Sequence, residues 1–350
     1  MADSIAIGGV PVGHDADPFI IAEMSGNHNG DLQRALDIVT MAAEAGAHAV
    51  KLQTYTADTI TIDADTPSFR LSEGHELWGG RRLYDLYDEA HTPWEWHEKL
   101  FAHAAGKGIR AFSSPFDPTA VDFLEGLGVP AYKVASSEIV DLPLIRKIAE
   151  QGKPVIISTG MASISEIDDA VKAARSTGNE QIVILSCTAD YPADPASANL
   201  RSIPVMADAF DALVGLSDHT MGIGVPVASV AFGAVLVEKH VTLSRNDGGV
   251  DSAFSLEPDE LAAMVRETAV ARLALGEARI GAKESEREGL RFRRSLFVTR
   301  DVRAGERVGP DNVRSIRPAG GLMPDEFSKV EGREFRVDAV KGTPLSWDLL

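Results

Sequence analysis

The sequence predicts a (β/α)8 TIM barrel followed by a small separate C-terminal domain. Three observations carry that prediction. Eight short apolar runs alternate with amphipathic helical stripes through the first 280 residues. Every one of those runs finishes in polar residues. After Gly281 the pattern gives way to a charged stretch and then to short β-rich pieces broken by glycine and proline. Strands that alternate with helices demand a parallel sheet, and eight such units close it into a barrel.

The runs are PFIIAE (18–23), AHAVKLQT (47–54), GIRAFSSPF (108–116), AYKVASSE (131–138), PVIISTG (154–160), QIVILSCT (181–188), ALVGLSDH (212–219) and AVLVEKHV (234–241). Continuous apolar character fits strands buried on both faces. Between the first two, DLQRALDIVTMAAEAG sets Leu32, Ala35, Leu36, Val39, Ala42 and Ala43 on one helical stripe, which Gly46 ends. Comparable helices follow most other runs. The connection from Thr56 to Trp96 is long and holds three of the four tryptophans, as expected of a lid or a wall over the barrel mouth. KESEREGLRFRR reads as a linker. The expected boundaries are a barrel over 1–280, a linker over 281–293 and a small domain over 294–350. A domain of that size has little core of its own and is expected to pack on a barrel.

Composition narrows the function. Apolar residues make up 44% of the 350 and charged residues 25%, the balance of a soluble globular protein. No apolar run approaches the ~20 residues of a spanning helix, so no membrane role is expected. MADSIAIGGV lacks the basic start and apolar core of a secretory signal, and the single cysteine, Cys187, suits a reducing cytoplasm. With 34 Lys+Arg against 52 Asp+Glu, the net charge of −18 argues against nucleic acid as a partner. Residues 283–350 alone carry 14 basic and 12 acidic side chains, so the small domain is slightly basic beside a strongly acidic barrel.

The chemistry is expected at the carboxyl ends of the strands, where barrel enzymes build their sites. His219 and His240 end the last two runs. Neighbouring strand tips lie close enough for two imidazoles to share a metal and leave it open positions for Lewis-acid catalysis, with Asp218 and Glu238 as acceptors orienting the rings. Spacing alone equally allows two unconnected rim histidines. Lys51 and Lys133 offer either point charges for phosphate and carboxylate or a Schiff-base amine. Ser114, Ser136, Ser158 and Ser217 add hydroxyl donors around them, and Glu23, Glu138 and Asp251 add carboxylates for proton transfer or for gripping hydroxyls. These residue types point to a metal-assisted lyase, aldolase or carbon–carbon transferase acting on an anionic small substrate. No P-loop, GxGxxG, CxxC or GxSxG motif competes with that reading. Cys187 reads as a packed or rim thiol, since no histidine adjoins it in sequence.

At these same residues the chain resembles the sialic acid synthase family. The shared elements are FIIAE-x-S-x-NHNG, A-x-AVKLQTYT, FSSPFD, KVAS-x-E, VIISTGMAS, GLSDHT-x-G and EKH-x-T, in order along almost the whole chain. Its C-terminal part is similar to antifreeze-like (SAF) modules. LYDLYDEAHTPWEWH, AVDFLE, EIVDLPLI, SIRPAGGLMP and GTPLSWDLL look most like the pseudaminic acid branch. The resemblance implies condensation of phosphoenolpyruvate with 2,4-diacetamido-2,4,6-trideoxy-β-L-altropyranose, with phosphate released. It implies a divalent metal on His219 and His240, typically Mn2+, with Mg2+ or Co2+ as alternatives, polarising the open-chain sugar aldehyde. Lys51, Ser114, Lys133, Ser136, Ser158 and Ser217 would cradle phosphoenolpyruvate; Glu23, Gln53, Tyr191 and Asp251 would hold the sugar. Glu23 and Glu138 would transfer protons. Arg317, in RPAGG, would reach into the barrel of the partner in a domain-swapped homodimer. The chain departs from the family at Ala189 in CTADYP, where an asparagine is frequent, and at Ser137 in KVASSE.

Overall fold

A computed structural model describes residues 4–72 and 79–350. It opens with an antiparallel hairpin, β1 (Ser4–Ile7) and β2 (Val10–Gly13), that the expected eight-unit pattern does not include. Its signal was present in the sequence. Gly8 and Gly9 form a two-residue turn with φ of 55° and 82°, the left-handed pair that a tight hairpin requires.

The barrel strands are β3 (Phe19–Glu23), β4 (Ala49–Thr54), β5 (Arg110–Pro115), β6 (Tyr132–Val134), β7 (Val155–Ser158), β8 (Ile182–Cys187), β9 (Leu213–Asp218) and β10 (Leu236–His240). All neighbours are parallel, and β10 closes the ring on β3 with His240 opposite Glu23. Each strand falls inside one of the eight apolar runs. The fourth stops early: β6 ends at Val134, and Ser136–Val140 winds into a 3-10 turn that carries Glu138 out of the strand.

The helices α1 (Leu32–Glu44), α4 (Trp94–Gly106), α5 (Pro118–Gly126), α6 (Leu142–Ala149), α7 (Ile164–Arg175), α8 (Ser202–Phe210), α9 (Gly224–Val230) and α10 (Pro258–Leu275) follow the strands in turn. Helix α1 begins where the Asp31 side chain accepts the amides of Gln33 and Arg34, and it buries Ala35, Ile38, Val39, Met41 and Ala42. The 56–96 connection holds two short helices, α2 (Ala57–Ile60) and α3 (Leu83–Ala90). Its residues 73–78, Trp78 among them, lie outside the described residues.

Register decides which side chains enter the barrel. Directly paired residues point to the same face, and the pairings put Glu23, Lys51, Gln53, Ser114, Lys133, Ser158, Cys187, Ser217, Glu238 and His240 in one phase, inward. Below them the same phase carries Ile21, Ala49, Phe112, Ile156, Leu185 and Leu236, all buried. Gly215 lies in that layer because the space is full. A Cβ there would stand 2.5 Å from the Leu236 carbonyl oxygen and 2.8 Å from Leu185 Cδ2.

The chain divides into two compact units, Met1–Gly276 and Glu277–Leu350. The second contains a 3-10 segment, Glu284–Phe292, within the stretch expected as linker. Beyond it, β11 (Ser295–Val298) pairs antiparallel with β12 (Val313–Ile316), and one short helix, α11 (Phe327–Val330), follows. Leu296, Val298, Val313, Val330, Phe335 and Leu345 form a core of its own. No helix among the described residues is long and apolar enough to cross a membrane.

Candidate active site

The inward phase delivers four charged side chains to one buried cluster. Lys51 Nζ lies 2.6 Å from Glu23 Oε2 and 3.6 Å from Glu238 Oε1, and it donates to Ser114 Oγ at 3.1 Å. Lys133 Nζ reaches the same Glu238 oxygen at 3.4 Å. Gln53 Nε2 donates to the other oxygen of Glu23 at 2.9 Å. Glu23, Lys51, Lys133 and Glu238 are each at most 4% exposed. Two lysines meeting on one carboxylate oxygen gather cationic side chains at one point inside an acidic protein.

Burial and neighbours set the proton affinities. Burial pushes Glu23 up to about 7, and the charge of Lys51 only partly opposes it. Burial likewise pushes Glu138 up to about 7. Burial lowers Lys133, whereas the carboxylates of Glu23 and Glu238 outweigh burial at Lys51 and raise it. Burial would raise Glu238, but Lys133 and Lys51 hold it below the usual carboxylate range.

The imidazoles of His219 and His240 meet beside this cluster, their ring centroids 5.2 Å apart. His219 Nδ1 lies 2.8 Å from the Thr188 carbonyl oxygen and donates to it, which turns Nε2 to Cys187 and to whatever binds at the mouth. His240 is held well below the ordinary histidine range, by burial first and then by His219 and the nearby lysines. Its Nδ1 is buried without a hydrogen-bond partner among the described residues and stands 3.7 Å from Asp251 Oδ2. Burial would lower His219, but Cys187, the Thr188 carbonyl oxygen and Glu238 together outweigh it and raise its pKa, so a divalent cation between the two rings would replace a proton there. Among the described residues no group of three His, Cys, Asp or Glu side chains is arranged around one point. The chain therefore offers two nitrogens and leaves the remaining positions to water or substrate.

The other expected residues surround these two centres. The ring of Tyr191 lies 4.4 Å from that of His219. Ser136 Oγ accepts the Gly160 amide at 3.1 Å, and Ser158 Oγ is buried without a hydrogen-bond partner among the described residues. Ser217 is inward between Cys187 and Glu238. Asp251 accepts the hydroxyl of Ser25, and burial raises its pKa. Glu138, half-buried, has one carboxylate oxygen without a partner. Arg317 is exposed in the second unit, ahead of a cis proline.

Several expectations need correction. Asp218 does not orient an imidazole: it faces outward, where Lys239 and Thr220 donate to it. Glu238 serves the two lysines rather than a histidine. Lys239 and Ser113, also polar strand ends, point out under the helices, Ser113 bonding Thr54, which in turn bonds His97. Cys187 is a rim thiol with a histidine beside it that sequence adjacency did not show: its side chain hydrogen-bonds His219 across the strands. Burial would raise its pKa, but His219, Ser136 and Lys133 together more than offset this. Ala189 packs beside Ser136 at Gly160, where a Cβ would sit 3.0 Å from the Ala189 methyl, and Ser137 is exposed. Asn27, in NHNG, was visible only as part of a motif, yet it is fully buried against the loop that carries Asp251.

This geometry has relatives. The model of the NeuB family matches residues 38–280, and that of the SAF domain matches residues 293–350. The chain belongs to the NeuB family. Its relatives include the pseudaminic acid synthase of Campylobacter jejuni, 40% identical over 95% of this chain and 96% of that protein. The N,N'-diacetyllegionaminic acid synthase of Legionella pneumophila is 34% identical over 99% of each. Among solved structures, the N-acetylneuraminic acid synthetase of Leptospira borgpetersenii superposes with a TM-score of 0.72 at 34% identity, covering 83% of this chain and 96% of that one. This NeuB-family chain is thus an enzyme, a transferase-type synthase with a C-terminal SAF domain.

Proposed function

We propose that this enzyme is a pseudaminic acid synthase, joining phosphoenolpyruvate to 2,4-diacetamido-2,4,6-trideoxy-β-L-altropyranose in the cytoplasm. The observation that carries the proposal is the buried Lys51–Glu238–Lys133 bridge beside the facing pair His219 and His240. The greater identity to the Campylobacter pseudaminic acid synthase than to the Legionella enzyme supports the choice of sugar.

Lys51 and Lys133 take the phosphate and carboxylate of phosphoenolpyruvate, with the hydroxyls of Ser114, Ser136, Ser158 and Ser217 donating at the edge. The two lysines stabilise the incoming anion in a site from which water leaves, and they share their charge between it and Glu238. Gln53, Tyr191 and Asp251 hold the sugar. His219 and His240 hold a divalent metal, Mn2+ in the first instance with Mg2+ or Co2+ as alternatives, which supplies Lewis-acid polarisation of the aldehyde. Carbon 3 of phosphoenolpyruvate forms the new bond to the aldehyde carbon, whose oxygen takes a proton and becomes a hydroxyl. Water adds at carbon 2 and gives up one proton. The carbon 2 hydroxyl then loses its proton to the departing phosphate oxygen as the C–O bond to phosphate breaks, leaving the ketone and hydrogen phosphate. One proton is taken up and one released. Glu23 and Glu138, both with pKa near 7, are the groups suited to exchange them. In the proposed domain-swapped homodimer, Arg317 of one copy meets the sugar in the other.

The test is phosphate release from phosphoenolpyruvate with Mn2+, comparing the altrose sugar, N-acetylmannosamine and the legionaminic precursor. Release confined to the altrose sugar and abolished by EDTA is expected. Release with another sugar moves the enzyme to that branch; release untouched by EDTA removes the metal role.

A further inference from the structure

Asp251 sits on the Gly248–Leu256 segment that follows β10, a stretch with no regular structure beyond one 3-10 turn at Ser252–Phe254. Such a segment holds a carboxylate in place only if its backbone is tied down. Its far end is tied to β10 and the residues after it, where the Leu256 amide donates to the His240 carbonyl oxygen at 2.8 Å and Arg245 donates to the Ser255 carbonyl oxygen at 2.9 Å. The ties on the Asp251 backbone come from the NHNG loop after β3 and run through Asn27. Its Nδ2 donates to the Val241 carbonyl oxygen and to Ser255 Oγ, each at 2.9 Å. Its Oδ1 accepts the Asp251 amide at 3.3 Å. The Ser255 hydroxyl, having accepted from Asn27, donates onward to the Asp251 carbonyl oxygen at 2.7 Å. One buried amide thereby holds the N–H of Asp251 directly and its C=O through a single relay. Asn29 adds a tie to the Gly248 carbonyl oxygen at 3.2 Å.

The far end of the arrangement is the site. With its backbone fixed, Asp251 turns its carboxylate toward Ser25 Oγ and His240 Nδ1. We propose that Asn27 is a positioning residue: it sets the Asp251 carboxylate beside His240 without touching substrate. The inference rests on the proposed role of Asp251 as a sugar contact. Aspartate at position 27 keeps the acceptor and loses both donors; leucine loses all three bonds at nearly constant volume.

The experiment is a double-mutant cycle on the full-length enzyme, with Asn27→Leu and Asp251→Ala made singly and together. Phosphate release is read at varied sugar and varied phosphoenolpyruvate, alongside hydrogen exchange of residues 248–256. Asn27→Leu should lower kcat/KM for the sugar by about 10–100-fold, the usual cost of losing a supporting partner, and change KM for phosphoenolpyruvate far less. In the Asp251→Ala background the same substitution should cost almost nothing, because its route of action is already gone. Exchange should rise in 248–256 and stay unchanged in the barrel strands. Losses that multiply in the double variant, or equal effects on both substrates, make Asn27 a general structural residue and overturn the proposal. If the natural enzyme turns over none of the sugars, the functional reading fails by itself. Hydrogen exchange then still decides the positioning role, which falls if 248–256 is unchanged. Should Asn27→Leu not fold, Asn27→Asp and Ser255→Ala interrupt the same ties and are read the same way.

Discussion

The two faces of the barrel strands each bury charge, and they do it differently. On the outer face Lys239 donates to Asp218 and to the Thr220 carbonyl oxygen, and Ser113, Thr54 and His97 form a hydrogen-bonded chain. On the inner face polar atoms are left over: Glu238 Oε2, Ser158 Oγ and His240 Nδ1 have no hydrogen-bond partner among the described residues, nor has one oxygen of Glu138 in the 3-10 turn after β6. Buried polar atoms are almost always satisfied, and leaving one unpaired costs roughly 1–3 kcal/mol. The outer set is thus closed on itself, whereas the inner set keeps polar atoms unspent at the barrel mouth, as the proposed site requires. The same residue types, one position apart along the same strands, do both jobs.

The widest separation of the two faces should come from the histidine pair. His219→Ala is expected to lower phosphate release by about 1,000-fold or more with the circular dichroism spectrum intact. Full activity in that variant would exclude the metal assignment.

Lysine replacements sharpen the contrast. Lys133→Met, on the inner face, should reduce kcat/KM for phosphoenolpyruvate by about 100-fold while Tm holds or rises, since Glu238 keeps Lys51. Lys239→Met, on the outer face, strands a buried Asp218. It should lower Tm by several degrees with kcat/KM per folded molecule nearly unchanged. Interchanged outcomes would mean that the assignment of faces is wrong.

A smaller effect distinguishes the faces by pH. The Glu138 carboxyl, raised to about 7 in the folded chain against 4.5 ordinarily, binds its proton more tightly folded than unfolded. Its contribution is favourable below pH 4.5 and is lost as pH rises through 7. Glu138→Gln should thus raise Tm by a few degrees at pH 8 and not at pH 4.5, while removing one limb of the kcat/KM profile. A Tm gain that does not vary with pH would contradict this account. His97, structural and outside the inner set, has the opposite sign. Burial lowers it to about 4, so the unfolded chain protonates first as pH falls below 6.5. Stability should decline between pH 6.5 and 4, and His97→Gln should flatten that decline in chemical denaturation. An unchanged slope would show that His97 does not cause it.

Much of the architecture was legible in one dimension. Continuous apolar runs mark doubly buried strands wherever they occur, and eight of them separated by helical stripes leave few folds to choose from. The Gly8–Gly9 hairpin was equally legible from its turn and fell outside the repeating pattern only because it is not part of it. The end of β6 was less so: KVASSE continues in strand-like residues, but after Val134 the chain turns, which moves Glu138 from strand to 3-10 segment.

The sequence by itself determined which residues reach the barrel mouth, because hydrophobic periodicity fixes where each strand ends. It could not say which of two successive polar residues enters the barrel. Side chains alternate at every step, and the phase is set by register with neighbouring strands far away in the chain. Tertiary structure alone decided that His240 faces in and Lys239 out, and that Glu238 bridges Lys51 and Lys133. It also decided that Cys187 meets His219 and that Asn27 ties down Asp251, contacts closed across 32 and 224 positions respectively. Pairings at such separations are made by the closure of the barrel, and closure leaves no local mark on the residues it joins.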